Sequence, residues 1–228
     1  MEPESEGERL EEVTAASSEQ LVAELRAQGL SDAAVLRAIA AVPRTAFVPP
    51  EFVAAAWKNI ALPIGSGQTI SQPYIVALMT QALRLCGTET VLEVGTGSGY
   101  QTAVLAQVCG RVISLERLPE LLVGAQQRLA ALEIDNVELH EADGTLGWPA
   151  EAPYAAILVA AAGPRVPESL LEQLMDGGRL VIPVGEPSHQ QLFCYHRQGD
   201  AVTEELLADV RFVPLVGDEA WADEFYEK

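Results

Sequence analysis

The sequence predicts an α/β fold. The expected architecture is a three-layer α/β/α sandwich around a doubly wound, mostly parallel sheet with an antiparallel edge, preceded by extra N-terminal helices. Three observations carry this. From Thr90 onward, short apolar runs alternate with segments of helical period. The first of those runs enters a turn containing Gly95, Gly97 and Gly99 directly before a helical pattern. Near the end, two apolar runs are joined through the polar turn around Gly199-Asp200, which suits an antiparallel pair.

The elements follow in order. Residues 1–12, MEPESEGERLEE, are charged and poor in apolar side chains, and are expected to form a disordered acidic tail. Ser17 or Ser18 is placed to cap a helix with Leu21, Val22, Leu25 and Leu30 along one side. After Gly29, Ser31 is expected to cap a second short helix carrying Val35, Leu36 and Ile39. Pro43, Pro49 and Pro50 break that pattern, and a further helical turn is expected over Phe52 to Trp57. Ala61 to Pro73 is rich in glycine and small hydroxyl residues and reads as a long loop or short strand. Helical period returns from Ile75 to Leu85.

Strands are then expected at Val91–Val94, Val112–Leu115, Val137–His140, Ala156–Val159 and Arg179–Pro183. The helices between them are Gln101–Val108, Glu120–Leu132 and Pro167–Met175, with Gly177-Gly178 as the turn before the fifth strand. Apolar strands alternating with helices imply a sheet covered on both faces, with strand ends lined up along one crevice. Leu192–Tyr195 and Val210–Leu215 complete the sheet as an antiparallel edge.

Composition narrows the function. The chain has 228 residues and is 49% hydrophobic, enough for one well-packed unit. The expected division is therefore a single domain over residues 13–228 after the tail. With 33 acids against 14 Lys plus Arg, the net charge is −19. Such a surface repels phosphate backbones and argues against a nucleic-acid partner. The opening residues lack the basic and apolar regions of a secretion signal, and no apolar stretch suits a membrane span, so a cytoplasmic location is expected. Cys86, Cys109 and Cys194 show no ligand spacing, and His140, His189 and His196 have no carboxylate partner at such spacing, so no metal is expected. Without a heptad pattern or an apolar stripe, a monomer is expected.

The run VLEVGTGSGY, Val91 to Tyr100, is the most specific local signal. Its glycines permit a tight turn and close backbone approach by a ligand, and the following helix turns free N–H groups toward the loop. The dinucleotide spacing GxGxxG fails, because position 100 is Tyr. GxGxG preceded by an acid at Glu93 is instead the pattern of class I S-adenosylmethionine methyltransferases. Gly95, Thr96, Gly97, Ser98 and Gly99 are accordingly the candidate cofactor loop. Glu116 ends the second strand, where a carboxylate can accept from ribose hydroxyls. Asp143-Gly144 follows the third strand and is placed to meet an adenine amino group, although Asp-Gly is also a simple turn. Glu93 fits either of two roles, an anchor for the loop or a partner for the methionine amino group. Ser98 is not in a GxSxG elbow, so hydrolase chemistry is not expected. Arg44 and Arg211 are candidates to meet an acceptor carboxylate, or to pair with surface acids.

The acceptor is written upstream. VPRTAFVPP, ALPIGSGQTISQPYIVALMTQAL, the glycine-loop segment, ADGTLGWP, GGRLVIPVG and VRFVPLVG together resemble the protein-L-isoaspartate O-methyltransferase family, from about Val35 to Gly217. GQTISQP joined to GTGSGYQTAVLA is the specific part. The resemblance implies a Rossmann-like methyltransferase fold and S-adenosyl-L-methionine as donor, with S-adenosyl-L-homocysteine as product. It implies methylation of the free α-carboxylate of L-isoaspartyl residues in damaged proteins and peptides. It carries Thr69 and Ser71 into the acceptor site, with Ser71 the active residue. It also places Pro183–Gly185 and Val213-Pro214 at the acceptor's border. On this reading residues 13–85 hold the helices and substrate-side loop, 86–185 the cofactor-binding core and 186–228 the C-terminal strands. From the residues alone, Ser71 also fits a cap for the helix beginning near Pro73.

The chain departs from the family pattern at Lys58-Asn59, Ala142, Ala155 and Ala160, where acids, glycine or hydroxyl residues are usual. Ala155 and Ala160 are expected near the crevice end of the fourth strand. Three other readings remain: a different methyl acceptor, a binding protein that retains the fold, and an NAD-linked enzyme.

Overall fold

The computed structural model describes residues 18–222 and 224. The expected tail at residues 1–12 and the Ser17 cap lie outside them. Residues 18–27 are helical (α1), with Leu21 and Leu25 buried. Ser18 is already inside this helix. α2 spans Ala33–Ala41, and its cap is Asp32 rather than Ser31. One Asp32 oxygen accepts from Ala34 N at 2.8 Å and Val35 N at 3.1 Å. The Ser31 and Asp32 N–H groups instead donate to Gln81 Oε1, at 2.9 and 2.8 Å. Gln81 belongs to α3, Pro73–Ala82, so this turn ties α2 to α3.

The proline-rich stretch forms two 3₁₀ turns, Arg44–Phe47 and Pro50–Ala55. Ala61 to Pro73, expected as a long loop or short strand, holds two short strands paired in an antiparallel hairpin, β1, Leu62–Gly65, and β2, Gln68–Ile70. Its tip needs left-handed backbone at Gly65, Ser66 and Gly67.

The main sheet holds β3 (Thr90–Val94), β4 (Arg111–Glu116), β5 (Val137–Glu141), β6 (Tyr154–Val159), β7 (Leu174–Glu186), β8 (His189–Gln198) and β9 (Ala201–Val210). Their order is β5-β4-β3-β6-β7-β8-β9. The first five run parallel, and β8 and β9 form the antiparallel edge. α4, Tyr100–Ala106, and α5, Pro119–Ala131, make the crossovers from β3 to β4 and from β4 to β5. The chain reverses direction across the sheet between β3 and β6, which opens a crevice at the carboxyl ends of those strands. Apolar clusters cover both sheet faces, one of them running into the packing of α1, α2 and α4.

Two late elements differ from expectation. α6 is only Glu168–Glu172, because Leu174 has already joined β7 opposite Tyr154. Gly177-Gly178 is then an irregularity inside β7, not a turn before it, since Tyr154 pairs with Leu174 but Ala156 with Arg179. The last strand is Ala201–Val210, whereas residues 211–215 leave the sheet. Their apolar character serves another purpose: the segment crosses the strand ends, with Ala162 N donating to Val213 O and Leu215 N to Ala162 O, both at 2.8 Å. Cys109 and Cys194 are buried, and Cys86 is exposed. Among the described residues, no helix is long and apolar enough to cross a membrane, and no His, Cys, Asp or Glu cluster could hold a metal ion.

Candidate active site

A slot opens at the carboxyl ends of β3, β4 and β6, and the glycine loop forms its floor. Gly95, Gly97 and Gly99 all have positive φ, at 94°, 55° and 89°. Gly99 has a second reason to be glycine: a side-chain carbon there would meet Ala125 of α5 at 3.2 Å. The N–H groups of Gly95 and Thr96 donate to Leu115 O at 2.8 and 3.2 Å, tying the loop to β4. Thr96, Gly97 and Ser98 lie on the slot wall with Val94, Gly95, Leu115 and Leu118. Ser98 Oγ accepts from Tyr100 N at 3.3 Å.

Glu116 also lines the slot and is 6% exposed. Its Oε2 accepts from Gly97 N at 2.8 Å, and its Oε1 from Arg117 N at 2.9 Å and Leu118 N at 3.0 Å. A carboxylate offers about four acceptor sites. The protein uses three of them and leaves one on Oε2, beside the slot. Asp143 is similarly engaged. Its Oδ1 accepts from Thr145 N and Thr145 Oγ1 at 2.9 and 2.7 Å, and its Oδ2 from Asp218 N at 2.8 Å. The slot wall at this point is Ala142 and Gly144, while Asp143 faces an adjoining hollow with Gly217 and Asp218. Gly144 is required sterically, because a side-chain carbon would overlap Val94 Cγ1.

Glu93 lies behind the loop, not on the slot wall, and is 0% exposed. Strand alternation points it at α4, where its Oε2 accepts from Thr102 Oγ1 at 2.5 Å and Ser114 Oγ at 2.6 Å. Ser114 Oγ is in turn 2.6 Å from Thr96 Oγ1, so the chain of hydrogen bonds ends on the glycine loop. Of its two candidate roles, this geometry supplies the anchor. Burial, with a smaller contribution from the Glu116 charge, raises its carboxyl from the ordinary 4.5 to about 8. The folded chain therefore holds a proton that the unfolded chain releases above its lower value. The stability from this proton is complete at the acid end and is lost as pH rises through the window from 4.5 to about 8. Glu93→Gln keeps the shape and cannot titrate. It is expected to flatten the decline of Tm across that window, and parallel slopes for the two chains in melts at several pH values would refute this.

The hairpin supplies the opposite wall. Gln68, Thr69, Ile70 and Ser71 face the glycine loop across the slot. α3 begins with Gln72 as cap and uses no side-chain cap hydrogen bond, so the Ser71 hydroxyl is not spent on the helix. A broader groove adjoins the slot, lined by Ala61, Gln72, Ile75, Arg211 and Phe212, and shares Thr69, Ser71, Ala160 and Val213 with it. Arg211 is thus at the groove, whereas Arg44 is not. Arg44 is 0% exposed, with its guanidinium 4.9 Å from the Tyr100 ring centroid and Nη2 donating to Ile60 O at 3.2 Å. Burial lowers its pKa to about 10.

The border segments divide likewise. Val213-Pro214 lie on the slot wall, but Pro183–Gly185 are strand residues of β7, tied to Gly163 and away from slot and groove. Ala160 follows β6 at the slot. Ala155 is at the opposite, amino end of β6, so it is not near the crevice as expected. Slot residues that the sequence reading missed include Gln68, Gln101, Ala161, Leu215 and Val216. Their visible signals were their places in quoted motifs: Gln68 in GQTISQP, Gln101 in GYQTAVLA, and Leu215 and Val216 in VRFVPLVG; Ala161 had none.

Among α/β folds with a ligand crevice at the switch point, a GxGxG loop with a strand-end carboxylate and an antiparallel sheet edge define the class I S-adenosylmethionine-dependent methyltransferases, and this chain has that fold. A family model described as protein-L-isoaspartate(D-aspartate) O-methyltransferase matches residues 16–220. The chain belongs to that family. The protein-L-isoaspartate O-methyltransferase of Dictyoglomus thermophilum is 52% identical over 203 residues, covering 89% of this chain and 92% of the relative. Protein-L-isoaspartate O-methyltransferase 2 of Pelobacter propionicus is 56% identical over 200 residues, covering 87% and 89%. A Plasmodium falciparum structure described as a protein-L-isoaspartate O-methyltransferase in complex with S-adenosyl-L-homocysteine aligns with TM-score 0.74 at 25% identity, covering 86% of this chain and 97% of that one.

Proposed function

We infer that this chain transfers a methyl group from S-adenosylmethionine to the free α-carboxylate of L-isoaspartyl residues in damaged proteins and peptides. A backbone amide nitrogen of the acceptor then attacks the ester carbonyl and expels methanol, giving a succinimide, part of which takes up water to become normal aspartate. The observation that carries this reading is the meeting of slot and groove at Thr69, Ser71, Ala160 and Val213. A transferase of this kind needs an enclosed donor site and an open acceptor site that share one wall.

The residues fit the donor. The loop glycines allow close backbone approach, the free site on Glu116 Oε2 accepts from the ribose, and Ala142 with Gly144 forms a flat wall for adenine. Asp143, which faces the adjoining hollow, meets the adenine amino group on this reading only where slot and hollow join at Ala142 and Val216. When bound, S-adenosylmethionine supplies a methyl group activated on a sulfonium. The acceptor needs no general base, since a carboxyl with pKa about 4 is already ionised near neutrality. Thr69 and Ser71 donate to one carboxylate oxygen and leave the other aimed into the slot. Ala160, Val213 and Pro214 exclude water from it. The chain thus contributes alignment and desolvation. It acts on this reading as a cytoplasmic monomer whose domain begins near residue 13, on protein and peptide acceptors rather than nucleic acid or membrane.

The test offers labelled S-adenosylmethionine with a matched pair of peptides, one isoaspartyl and one aspartyl. Label is expected on the isoaspartyl peptide alone. Equal labelling of both, or of neither, sinks the repair reading.

A further inference from the structure

We propose that Gln101 is the residue that receives the α-ammonium of the methyl donor, and that Thr80 orients it for this task. The inference deepens the donor-site reading above and rests on it. Gln101 lies in the first turn of α4 and lines the slot together with Thr69 and Ser71. Its Nε2 donates to Thr80 Oγ1 at 3.0 Å. Thr80 is 1% exposed, and its hydroxyl donates to Val76 O at 2.8 Å. That single hydroxyl proton is therefore used, and Thr80 can only accept from the amide. The opposite amide orientation would forfeit the bond to Val76. Gln101 consequently turns its carbonyl oxygen away from α3, and no described residue donates to that oxygen.

A free carbonyl oxygen on the slot wall selects a donor and disfavours a carboxylate. The acceptor carboxylate is thereby excluded as its partner. On the donor, the sulfur carries both the ribose and the amino-acid chain. With the ribose at Glu116 and the methyl at Ser71, the amino-acid end runs along the wall that holds Gln101. The ammonium there has N–H groups that match the carbonyl. The acidic alternative, Glu93, is sealed behind the loop with its Oε2 taken by Thr102 and Ser114. Gln101 also links the two halves of the site, because Thr80 belongs to the helix that follows Ser71. The hydrogen-bonded chain from Gln101 through Thr80 ends on Val76 O, inside that same helix.

The test is calorimetric and independent of turnover. S-adenosylhomocysteine, which carries the ammonium, is titrated beside 5′-methylthioadenosine, which lacks the amino-acid end. Gln101→Leu is expected to weaken S-adenosylhomocysteine by about 10-fold or more, the usual worth of a hydrogen bond to a charged group, and to leave methylthioadenosine unchanged. Gln101→Glu, which keeps an acceptor and adds charge, should retain or tighten S-adenosylhomocysteine binding, and Thr80→Val should weaken it alone by a smaller factor. Equal weakening of both ligands by Gln101→Leu means that the residue only shapes the slot, and overturns the proposal. Unchanged S-adenosylhomocysteine affinity with a raised KM for the isoaspartyl peptide assigns the amide to the acceptor, and also overturns it. Should the unsubstituted chain bind no S-adenosylhomocysteine, the donor reading itself falls.

Discussion

Glu116→Ala is expected to weaken S-adenosylhomocysteine binding by about 100-fold or more, the largest effect of any single substitution on donor affinity. Two losses combine. The free site on Oε2 disappears, and with it a charge-assisted bond to the ribose worth about 1.5–3 kcal/mol. The Gly97 N–H also loses its partner at 2.8 Å, so the middle of the glycine loop is no longer held in its left-handed turn. Because Arg117 N and Leu118 N lose their acceptor too, Tm should fall by several degrees, as about 1–2 kcal/mol implies for a chain of this size. Titration calorimetry and thermal melts check the two effects separately. Unchanged affinity beside a lowered Tm would make Glu116 a loop anchor only, and the ribose assignment would be wrong.

Ser71→Ala should lower kcat by about 100-fold while leaving S-adenosylhomocysteine affinity unchanged. The physical reason lies in how charge changes during the reaction. A carboxylate and a sulfonium neutralise one another as the methyl moves, so a donor on the attacking oxygen would stabilise the start more than the transition state. The useful place for the hydroxyl is the other carboxylate oxygen, where it fixes direction without blunting attack. Its loss therefore costs alignment, and misplacement by about 1 Å is worth about that factor. Steady-state kinetics on an isoaspartyl peptide, with calorimetry beside it, separates the roles. A joint loss of turnover and donor binding would place Ser71 in the architecture of the hairpin instead.

Helix caps show how narrowly sequence reading can miss. Ser31 and Asp32 are both good caps, and the choice fell to Asp32 because the Ser31 and Asp32 N–H groups are taken by Gln81, about fifty residues later. The same limit explains residues 211–215. Their apolar run looked like a strand because burial in a sheet and burial against a slot produce the same composition. Asp143 does follow β5, but its side chain faces the hollow beside the slot. Its bond to Asp218 N joins residues 75 apart and has no local sign.

By itself, the sequence determined the parallel sheet, the glycine turn and the strand-end Glu116, while the pairing of residues 62–70 into a hairpin came only with the structure. The first three depend on local period and on backbone freedom at glycine, which a short window of residues contains. Only the tertiary structure decided that Glu93 faces α4 rather than the slot, that Ser71 keeps its hydroxyl free, and that Gln101 donates its amide N–H to Thr80. Each of these rests on which polar partners packing brings within about 3 Å, and on which protons those partners have already spent.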